Sequence, residues 1–290
     1  MDGFLIIDKP PGMTSAQAVA AVKRITRAAK VGHTGTLDPF ATGVLVCCLG
    51  AATKLSTFFL HGDKGYEGVM RLGLETDTLD PTGWVTRESE VPPLTKGEIE
   101  AVFARYTGLI MQTPPAFSAI KVDGERAYDL ARAGETVVLE PRPVFIEALT
   151  LLGHTGETSE LKMTCEKGTY VRALARDLAR ALGTRGHVIA LHRAQVGPFS
   201  DVIAVSIEDI ERNPDGAVVP VAVGLTGLPE VRLTAQQAQV LRHGNPVLLS
   251  GASAPVRLDS AWASEAGSPV ALGYVEAGHF HPQRVLLAGS

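Results

Sequence analysis

GHTGTLDPFATGVL, residues 32–45, places one carboxylate, Asp38, among three glycines, three threonines and several apolar side chains. Pro39 biases the backbone of Asp38 towards an extended conformation, and the glycines permit tight turns and the close approach of a ligand. The segment continues as GVLVCCLG (residues 43–50), which is typical of a buried strand. Asp38 is therefore either part of an Asx-type turn that bonds only its own loop, or an acid presented to a ligand.

The common settings of a catalytic acid are absent from the sequence around Asp38. The loop matches neither GxxxxGK[ST] nor GxGxxG, so a phosphate cradle has little support. No second carboxylate lies nearby, as a glycosidase would require, and the chain has no GxSxG nucleophile elbow. What remains is an acid that works alone, as a nucleophile or as an electrostatic partner, on a substrate that supplies its own leaving group.

The composition is ordinary for a soluble globular protein. With 290 residues, 45% of them hydrophobic and 20% charged, the chain can form one large domain and a small one. It has no run of about 18 apolar residues that would predict a membrane span, and its N-terminus is not typical of a secretory signal. Cys47, Cys48 and Cys165 lack the spacing of metal ligands. We therefore expect buried thiols, no bound metal and a reducing cytoplasm.

Charge is distributed unevenly along the chain. Residues 1–66 carry a net charge of +3, residues 67–160 carry −8, residues 161–200 carry +5 and residues 201–290 carry −4, for −4 overall. Two basic segments on either side of an acidic one could fold into a single positive face suited to nucleic acid. The alternative is a set of solvated helix faces, and charge alone does not decide between the two.

The order of predicted elements is that of an α+β protein. GFLIIDKPPGMTS (residues 3–15) predicts a strand, a turn and a helix that begins at a capping box of Thr14 and Gln17. Further helices are expected over residues 95–108, from about Val171 to Leu182 and in TAQQAQVLRHG (residues 234–244). Strands lie between these helices without regular βαβ alternation, so an α+β fold fits better than a doubly wound sheet.

Two segments differ in character from the rest. Residues 112–143, bracketed by prolines, look like an insertion that contains a turn at Asp123 and Gly124, a short helix and a strand. After a change of composition near residues 213–221, short strands punctuated by glycine and proline indicate a small β-barrel. The sequence therefore predicts one domain over residues 1–215 and a second over residues 216–290.

Four motifs, in order, resemble those of the TruB family of tRNA pseudouridine synthases. They fall between residue 3 and about residue 200, and they read FLIIDKPPGMTS, GHTGTLDPFATGVL, GYEGVMRLGLETDTLDPTG and KGTYVRALARDLARALG, the last followed by HVIALHRAQVGPF. The resemblance implies a catalytic domain of the pseudouridine synthase fold, with a mixed, largely antiparallel sheet flanked by helices. It also implies that residues 112–143 form a thumb and that residues 216–290 form a PUA-like RNA-binding barrel.

The resemblance implies isomerisation of uridine to pseudouridine at position 55 in the T-arm of tRNA, without cofactor or metal. The N1–C1′ bond of a flipped-out uridine is cleaved, the base rotates, and C5 becomes the new point of attachment. Asp38 matches the essential acid, Arg172 the arginine that pairs with it, and Tyr66 the ring that stacks on the extruded base. Whether Asp38 attacks C1′, adds to C6 or abstracts a sugar proton is left open by the sequence.

The resemblance also implies contacts to RNA. His33 matches a histidine that inserts into the T-loop and helps to hold the flipped-out conformation, and Tyr170 and Leu191 match residues that line the uracil pocket. Outside these contacts, Lys9 matches a residue that supports the catalytic loop. The partner is the T-arm stem-loop of tRNA, in a cytoplasmic enzyme that needs neither a membrane nor an obligate protein partner.

Asp77 and Asp80 lie three residues apart and could suggest a metal site. In the family the matching TDTxDxxG sequence forms a structured turn, and we adopt that interpretation for TDTLDPTG (residues 76–83).

Two alternatives to a stand-alone enzyme follow from the same motifs. Guide-RNA-dependent relatives of the dyskerin type share the aspartate motif but lack the thumb, so the insertion at residues 112–143 favours direct action on tRNA. The chain could also be an RNA-binding factor that folds tRNA, with catalysis secondary or absent. The intact set of Asp38, Tyr66 and Arg172 argues against a loss of catalysis, although not against a folding role beside it.

Overall fold

The computed structural model describes residues 1–122, 124–251 and 254–286. The chain divides into two compact units, one made of Met1–Leu37, Gly43–Leu60 and Val196–Ser290, the other of Asp38–Thr42 and His61–Gln195. No helix in the described part of the chain combines the length and the apolar character needed to cross a lipid bilayer.

Strands and helices are mixed along the whole chain, which confirms the predicted α+β class. The strands are β1 (Gly3–Lys9), β2 (Val31–His33), β3 (Thr42–Leu49), β4 (Lys64–Leu72), β5 (Leu74–Thr76), β6 (Val85–Glu88), β7 (Gly108–Gln112), β8 (Lys121–Val122), β9 (Glu125–Arg126), β10 (Arg142–Thr155), β11 (Thr158–Cys165), β12 (Gly186–Val196), β13 (Phe199–Ser200), β14 (Glu230–Leu233), β15 (Val247–Leu248), β16 (Leu258–Glu265), β17 (Ser268–Glu276) and β18 (His279–Val285). The α-helices are α1 (Ser15–Thr26), α2 (Ser56–Leu60), α3 (Lys96–Arg105), α4 (Ala127–Arg132), α5 (Val171–Ala181), α6 (Ile207–Arg212), α7 (Val221–Gly224) and α8 (Ala235–Arg242). Short 3₁₀ helices occupy Gly50–Leu55 and Asp201–Ile203.

The unit that contains His61–Gln195 is built on a sheet with the strand order β12, β4, β11, β10, β7. The pairs β4–β11, β11–β10 and β10–β7 are antiparallel, as the predicted fold requires. Along β4, buried residues alternate with more exposed ones, because successive side chains of a strand point to opposite faces. Tyr66 belongs to the buried set, together with Lys64 and Gly68.

Helix α5 agrees with its predicted bounds to within one residue at its C-terminal end. Its arginines recur every four residues, at positions 172, 176 and 180, so they follow one side of the helix. All three pair with acids of the same unit: Arg172 with Asp38, Arg176 with Asp177 and Arg180 with Glu75. Much of the positive charge of residues 161–200 is therefore used inside this unit.

The segment 112–143 leaves the sheet between β7 and β10, and it contains the β8–β9 hairpin and helix α4. The strand predicted after the short helix is wrong, because residues 133–141, all of them described, form no strand. Their β-branched side chains favour a strand locally, but no neighbouring backbone pairs with them. Asp123 of the predicted turn lies outside the described residues.

In the other unit, β3 pairs antiparallel with both β1 and β2. Helix α1 begins behind the predicted capping box, in which Thr14 Oγ1 accepts the Gln17 N–H and Gln17 Oε1 accepts the Thr14 N–H. The rings of Phe4, Phe59 and Phe199 pack against one another with centroids 4.9 to 5.4 Å apart. These aromatic side chains form the centre of a large apolar core.

The C-terminal part of the same unit has a second sheet, with the strand order β14, β16, β17, β18, β15. Helix α8 begins behind a further capping box, of Thr234 and Gln237, and the sheet has a core of its own that includes Val231, Leu241 and Phe280. The predicted helix of residues 234–244 is thus observed. The domain boundary near residue 215 stays a prediction.

Candidate active site

Hydrogen bonds fix the position of the backbone on both sides of Asp38. Before it, the buried Ser15 hydroxyl accepts the Leu37 N–H at 2.9 Å and donates to the Leu37 carbonyl at 3.1 Å. After it, the Ala41 N–H closes a turn onto the Asp38 carbonyl at 3.1 Å. The Thr42 hydroxyl then lies 3.0 Å from His192 Nδ1. The loop is held at both ends, so the Asp38 carboxylate has a defined position.

Asp38 forms a two-pronged ion pair with Arg172. Arg172 Nε lies 2.9 Å from Asp38 Oδ2, and Nη2 donates to Oδ1 at 3.0 Å. The arginine side chain is only 6% exposed, whereas that of the aspartate is 33% exposed. A fork of this kind fixes the plane of the carboxylate as well as its distance. The acid therefore keeps a solvent-facing side on which a ligand can approach.

Arg172 is itself positioned by main-chain carbonyls. Nη1 donates to the Thr78 carbonyl at 2.8 Å, and Nη2 donates to the Phe117 carbonyl at 3.0 Å. Phe117 belongs to the insertion of residues 112–143, and the next arginine of α5, Arg176, donates to the Thr113 carbonyl of the same insertion at 2.8 Å. The insertion thus contributes directly to the setting of the Asp38–Arg172 pair.

Asp80 is a component of this site that sequence reasoning missed. Its Oδ2 lies 3.5 Å from Arg172 Nη1, while its Oδ1 accepts hydrogen bonds from the Thr78 hydroxyl, the Thr82 N–H and the Thr82 hydroxyl at 2.6 to 2.9 Å. Arg172 therefore lies between two carboxylates, one of them buried. The TDTLDPTG motif was the available signal, but it identified the turn and not its contact with Arg172.

Asp77 stabilises the same turn from its other side. Its Oδ1 accepts the Thr78 N–H at 2.9 Å and the Trp84 N–H at 2.8 Å. The carboxylates of Asp77 and Asp80 thus take the turn-stabilising roles expected of them. Across the described parts of the chain, no three His, Cys, Asp or Glu side chains come together as a metal site.

Tyr66 lies buried on β4 in the same unit as Asp38. Burial raises the pKa of its phenol, and Arg193, which contacts the hydroxyl, acts in the opposite direction. The charge of Asp38 adds a smaller upward contribution to that pKa. Because burial dominates, Tyr66 is a neutral phenol at neutral pH.

Tyr170 and Leu191 also belong to this unit. Tyr170 is the residue before α5, and its main chain is bonded twice by Gln112, whose Nε2 donates to the carbonyl at 3.2 Å and whose Oε1 accepts the N–H at 2.9 Å. Burial raises the pKa of the Tyr170 phenol. Leu191 is buried on β12, where a side chain at Gly68 would begin 3.5 Å from Leu191 Cδ1. The glycine leaves room beside the leucine.

His33 and Lys9 lie in the other unit. His33 is on β2, and its Nδ1 accepts the Gly35 N–H at 3.2 Å, so its hydrogen-bonding supports the backbone that leads to Asp38. Lys9 is fully buried, and its ammonium donates to the Pro10 and Met13 carbonyls at 2.9 and 2.8 Å. It stabilises the turn before α1. The RNA-binding role of His33 stays a prediction.

The cysteines are poor candidates for chemistry. All three are buried, as predicted, and burial raises the pKa of Cys48 to about 12 and that of Cys165 to about 11. Because the thiolate is the nucleophilic form, these residues are protonated and unreactive at neutral pH. The ionisable chemistry of the site rests on Asp38, Arg172 and Tyr66.

Comparison with known proteins identifies the family. The model of the TruB family pseudouridylate synthase N-terminal domain matches residues 23–171, and that of the tRNA pseudouridylate synthase B C-terminal domain matches residues 172–215. Proteins named tRNA pseudouridine synthase B are 42% identical in Brucella anthropi, over 100% of this chain and 97% of the relative, and 46% identical in Cereibacter sphaeroides, over 98% and 96%.

Solved structures confirm the fold. A chain in the crystal structure of a Cbf5–Nop10–Gar1 complex superposes with a TM-score of 0.77 at 24% identity, over 98% of this chain and 85% of that one. The family models and the named relatives identify the chain as a pseudouridine synthase, and its fold agrees with that class. Within that class, the chain belongs to the TruB family.

Proposed function

We propose that this enzyme converts uridine to pseudouridine in tRNA, at position 55 of the T-arm. The observation that carries the proposal is the two-pronged pair of Arg172 with a partly exposed Asp38, in a unit that also buries Tyr66. The full-length similarity to proteins named tRNA pseudouridine synthase B supports the same substrate. The reaction is an isomerisation, so it consumes no second substrate.

The bonds change within one nucleotide. The N1–C1′ bond breaks, the uracil rotates while it stays bound, and a C5–C1′ bond forms. The hydrogen on C5 then leaves as a proton, and N1 ends protonated, so that atoms and charge balance. Asp38 is the group that acts on the sugar or the base, by attack on C1′, by addition to C6 or by abstraction of a sugar proton. Arg172 fixes the carboxylate for any of these steps.

The extruded uracil is held by side chains of the unit that contains Asp38. Tyr66 supplies a ring that replaces part of the stacking lost on base flipping, and Tyr170 and Leu191 line the pocket. His33 enters the T-loop and helps to keep the nucleotide extruded. Residues 1–215 form the catalytic domain, the insertion at residues 112–143 grips the RNA arm, and residues 216–290 form a PUA-like RNA-binding domain. The enzyme acts in the cytoplasm.

The enzyme acts without a guide RNA or an obligate protein partner. The insertion supports this proposal, because its Phe117 and Thr113 carbonyls accept hydrogen bonds from Arg172 and Arg176. A segment tied to the reactive pair is an integral part of the site. The similarity to Cbf5 at 24% identity concerns the fold, whereas relatives at 42% and 46% identity carry the tRNA enzyme's name.

Tritium release from C5-labelled uridine tests the proposal. Wild-type enzyme should release one tritium per transcript from tRNA and from an isolated T-arm hairpin, with no other RNA or protein added. Asp38→Asn should release it on the order of 10³-fold more slowly or not at all. Glu157→Gln serves as the control, because it is also a change of carboxylate to amide and that side chain is 60% exposed and pairs at the surface with Arg71.

The outcomes separate the alternatives. No release by the wild type on either RNA would contradict the proposed activity, and release only after a guide RNA is supplied would identify a guide-dependent enzyme. Equal release by wild type and Asp38→Asn would remove Asp38 from the reaction. Normal tRNA binding by an inactive Asp38→Asn protein that still promotes tRNA folding would reveal a folding role beside catalysis.

A further inference from the structure

Arg193 is a buried cation to which the motifs assign no role. It lies on β12 and is 2% exposed, which makes it the largest fully buried side chain among the described residues. A charge taken out of water is costly unless it is paired and hydrogen-bonded. A guanidinium has five N–H donors and no acceptor, so its neighbours must offer oxygen atoms or charge.

One of those neighbours is the hydroxyl of Tyr66. Strands β12 and β4 are adjacent in the sheet, and the Arg193 side chain forms a hydrogen bond with that hydroxyl. Two residues further along β4, Gly68 faces Leu191, which lies two residues before Arg193 on β12. The contact therefore lies in the part of the sheet that carries both Tyr66 and Leu191.

A second cation lies close to this contact. Lys64 is buried two residues before Tyr66, and its ammonium donates to the Gly62 carbonyl at 2.5 Å. Burial and then the charge of Arg193 lower the pKa of Lys64. The two buried cations repel each other, which does not favour stability. A role for Arg193 at the Tyr66 hydroxyl gives a reason for keeping a charge there.

The direction of the hydrogen bond has a chemical consequence. Because arginine can only donate, the phenol oxygen must accept, and the hydroxyl's own hydrogen is turned away from Arg193. A guanidinium is also a rigid fork, so the contact limits both the tilt and the sliding of the Tyr66 ring.

We propose that Arg193 is a positioning residue for Tyr66: it fixes the plane of the ring against the extruded uracil and the direction of the phenolic O–H. The inference rests on the proposed function, since it assumes that Tyr66 contacts the base. Arg193 itself touches no reacting atom. It acts through the phenol, and its effect must disappear when the hydroxyl is absent.

A double-mutant cycle tests this dependence. Single-turnover tritium release from tRNA is measured for wild type, Arg193→Met, Tyr66→Phe and the double variant, with tRNA affinity measured by filter binding. Arg193→Met should slow release roughly tenfold to a hundredfold in the wild-type background, the loss expected for a charge-assisted hydrogen bond. It should slow release less than about threefold in the Tyr66→Phe background, and affinity should change little in either.

A matched arginine on the strand of Tyr66 controls for the loss of a cation. Arg71 lies on β4, where its side chain is 45% exposed and pairs with Glu157 at 3.4 Å. Arg71→Met should leave the release rate within about twofold in both backgrounds, since exposed ion pairs contribute little. An equal loss from Arg71→Met and Arg193→Met would overturn the inference.

Other outcomes are equally decisive. The same fold-loss for Arg193→Met with and without the Tyr66 hydroxyl would show a purely structural role and overturn the inference. The wild-type protein's activity decides the proposed function separately, so the inference can fail while the function stands. If Arg193→Met does not fold, Arg193→Lys replaces it in the cycle. The cycle should then show the same coupling to the Tyr66 hydroxyl, and additive effects of the two substitutions would overturn the inference.

The pH dependence supplies an independent readout. Arg193 lowers the pKa of Tyr66 against the effect of burial, so weakening the contact raises that pKa. In Arg193→Lys, the alkaline limb of the single-turnover pH profile should therefore move to higher pH. An unchanged profile would overturn the inference, and this measurement decides the matter if Tyr66→Phe releases no tritium at all.

Discussion

The two ends of helix α5 carry ion pairs of opposite design. At the N-terminal end, Arg172 is buried and its partner Asp38 is 33% exposed. At the C-terminal end, Glu75 is buried at 7% exposure and its partner Arg180 is 40% exposed. Both arginines use two nitrogens on one carboxylate, at 2.9 to 3.2 Å. The geometry is alike, and the difference lies in which partner meets solvent.

That difference separates a reactive carboxylate from a structural one. A buried acid with an exposed cation anchors the helix to strand β5, and it offers no oxygen to a ligand. A buried cation with a partly exposed acid presents the carboxylate on a rigid support. Asp38 and Glu75 would be indistinguishable by pairing distance alone, so exposure is the property that supports the proposed role of Asp38.

Among the changes that compare the two pairs, the largest effect is expected from Arg172→Lys. Lysine keeps the charge but cannot bridge both oxygens of Asp38 while it also bonds the Thr78 and Phe117 carbonyls. Single-turnover tritium release should fall on the order of 10²-fold. Arg180→Lys, the same change at the other end of α5, should leave the rate within about twofold. Similar losses in the two variants would break the distinction between the pairs.

A smaller effect is expected from Asp80→Asn. The amide oxygen can still accept the turn hydrogen bonds from Thr82, but the charge opposite Arg172 is lost. Release should slow roughly tenfold, as when a charged hydrogen-bond partner is removed. Asp77→Asn is the matched control in the same turn, because Asp77 bonds the Thr78 and Trp84 N–H groups and not Arg172. Equal rates for the two variants would contradict a role for Asp80.

The smallest effect on the rate is expected from Glu75→Gln. Glutamine removes the buried negative charge that pairs with the partly exposed Arg180, so the free energy of unfolding should fall by about 1–2 kcal/mol. Release at a temperature where the protein is folded should stay within about twofold of wild type. Urea unfolding followed by circular dichroism measures the first quantity. A large loss of activity without a loss of stability would make the C-terminal pair functional as well.

The local parts of this design could be predicted from the sequence. The capping box of α1 depends on residues three apart, and α5 follows from a run rich in alanine and arginine. The importance of Asp38 followed from four ordered motifs. In each case the information is contained within one short segment, or in the order of such segments.

Apart from the Asp38–Arg172 pair, which the family resemblance implied and the structure shows, contacts between distant segments could not be predicted. Asp80 and Arg172 are separated by 92 positions, and no local pattern couples a turn to a helix. The arginines of α5 look like an RNA-facing stripe when charge is counted along the chain, but Arg172 and Arg180 pair with acids on other segments. The predicted strand after α4 failed for the same reason. A strand needs a neighbouring strand to pair with. Residues 133–141 have β-propensity, but no neighbouring backbone pairs with them.

The two hydrogen bonds between the Ser15 hydroxyl and the Leu37 main chain limit how far the protein can be shortened at its N-terminus. The family model begins its match at residue 23, and a chain trimmed to that point would keep every motif from GHTGTLDPFATGVL onward. It would nevertheless lose the hydroxyl that holds both the N–H and the carbonyl of the residue before Asp38. A shortened chain that keeps the position of Asp38 must therefore begin before Ser15, a limit that is set by tertiary contacts and not by the motifs.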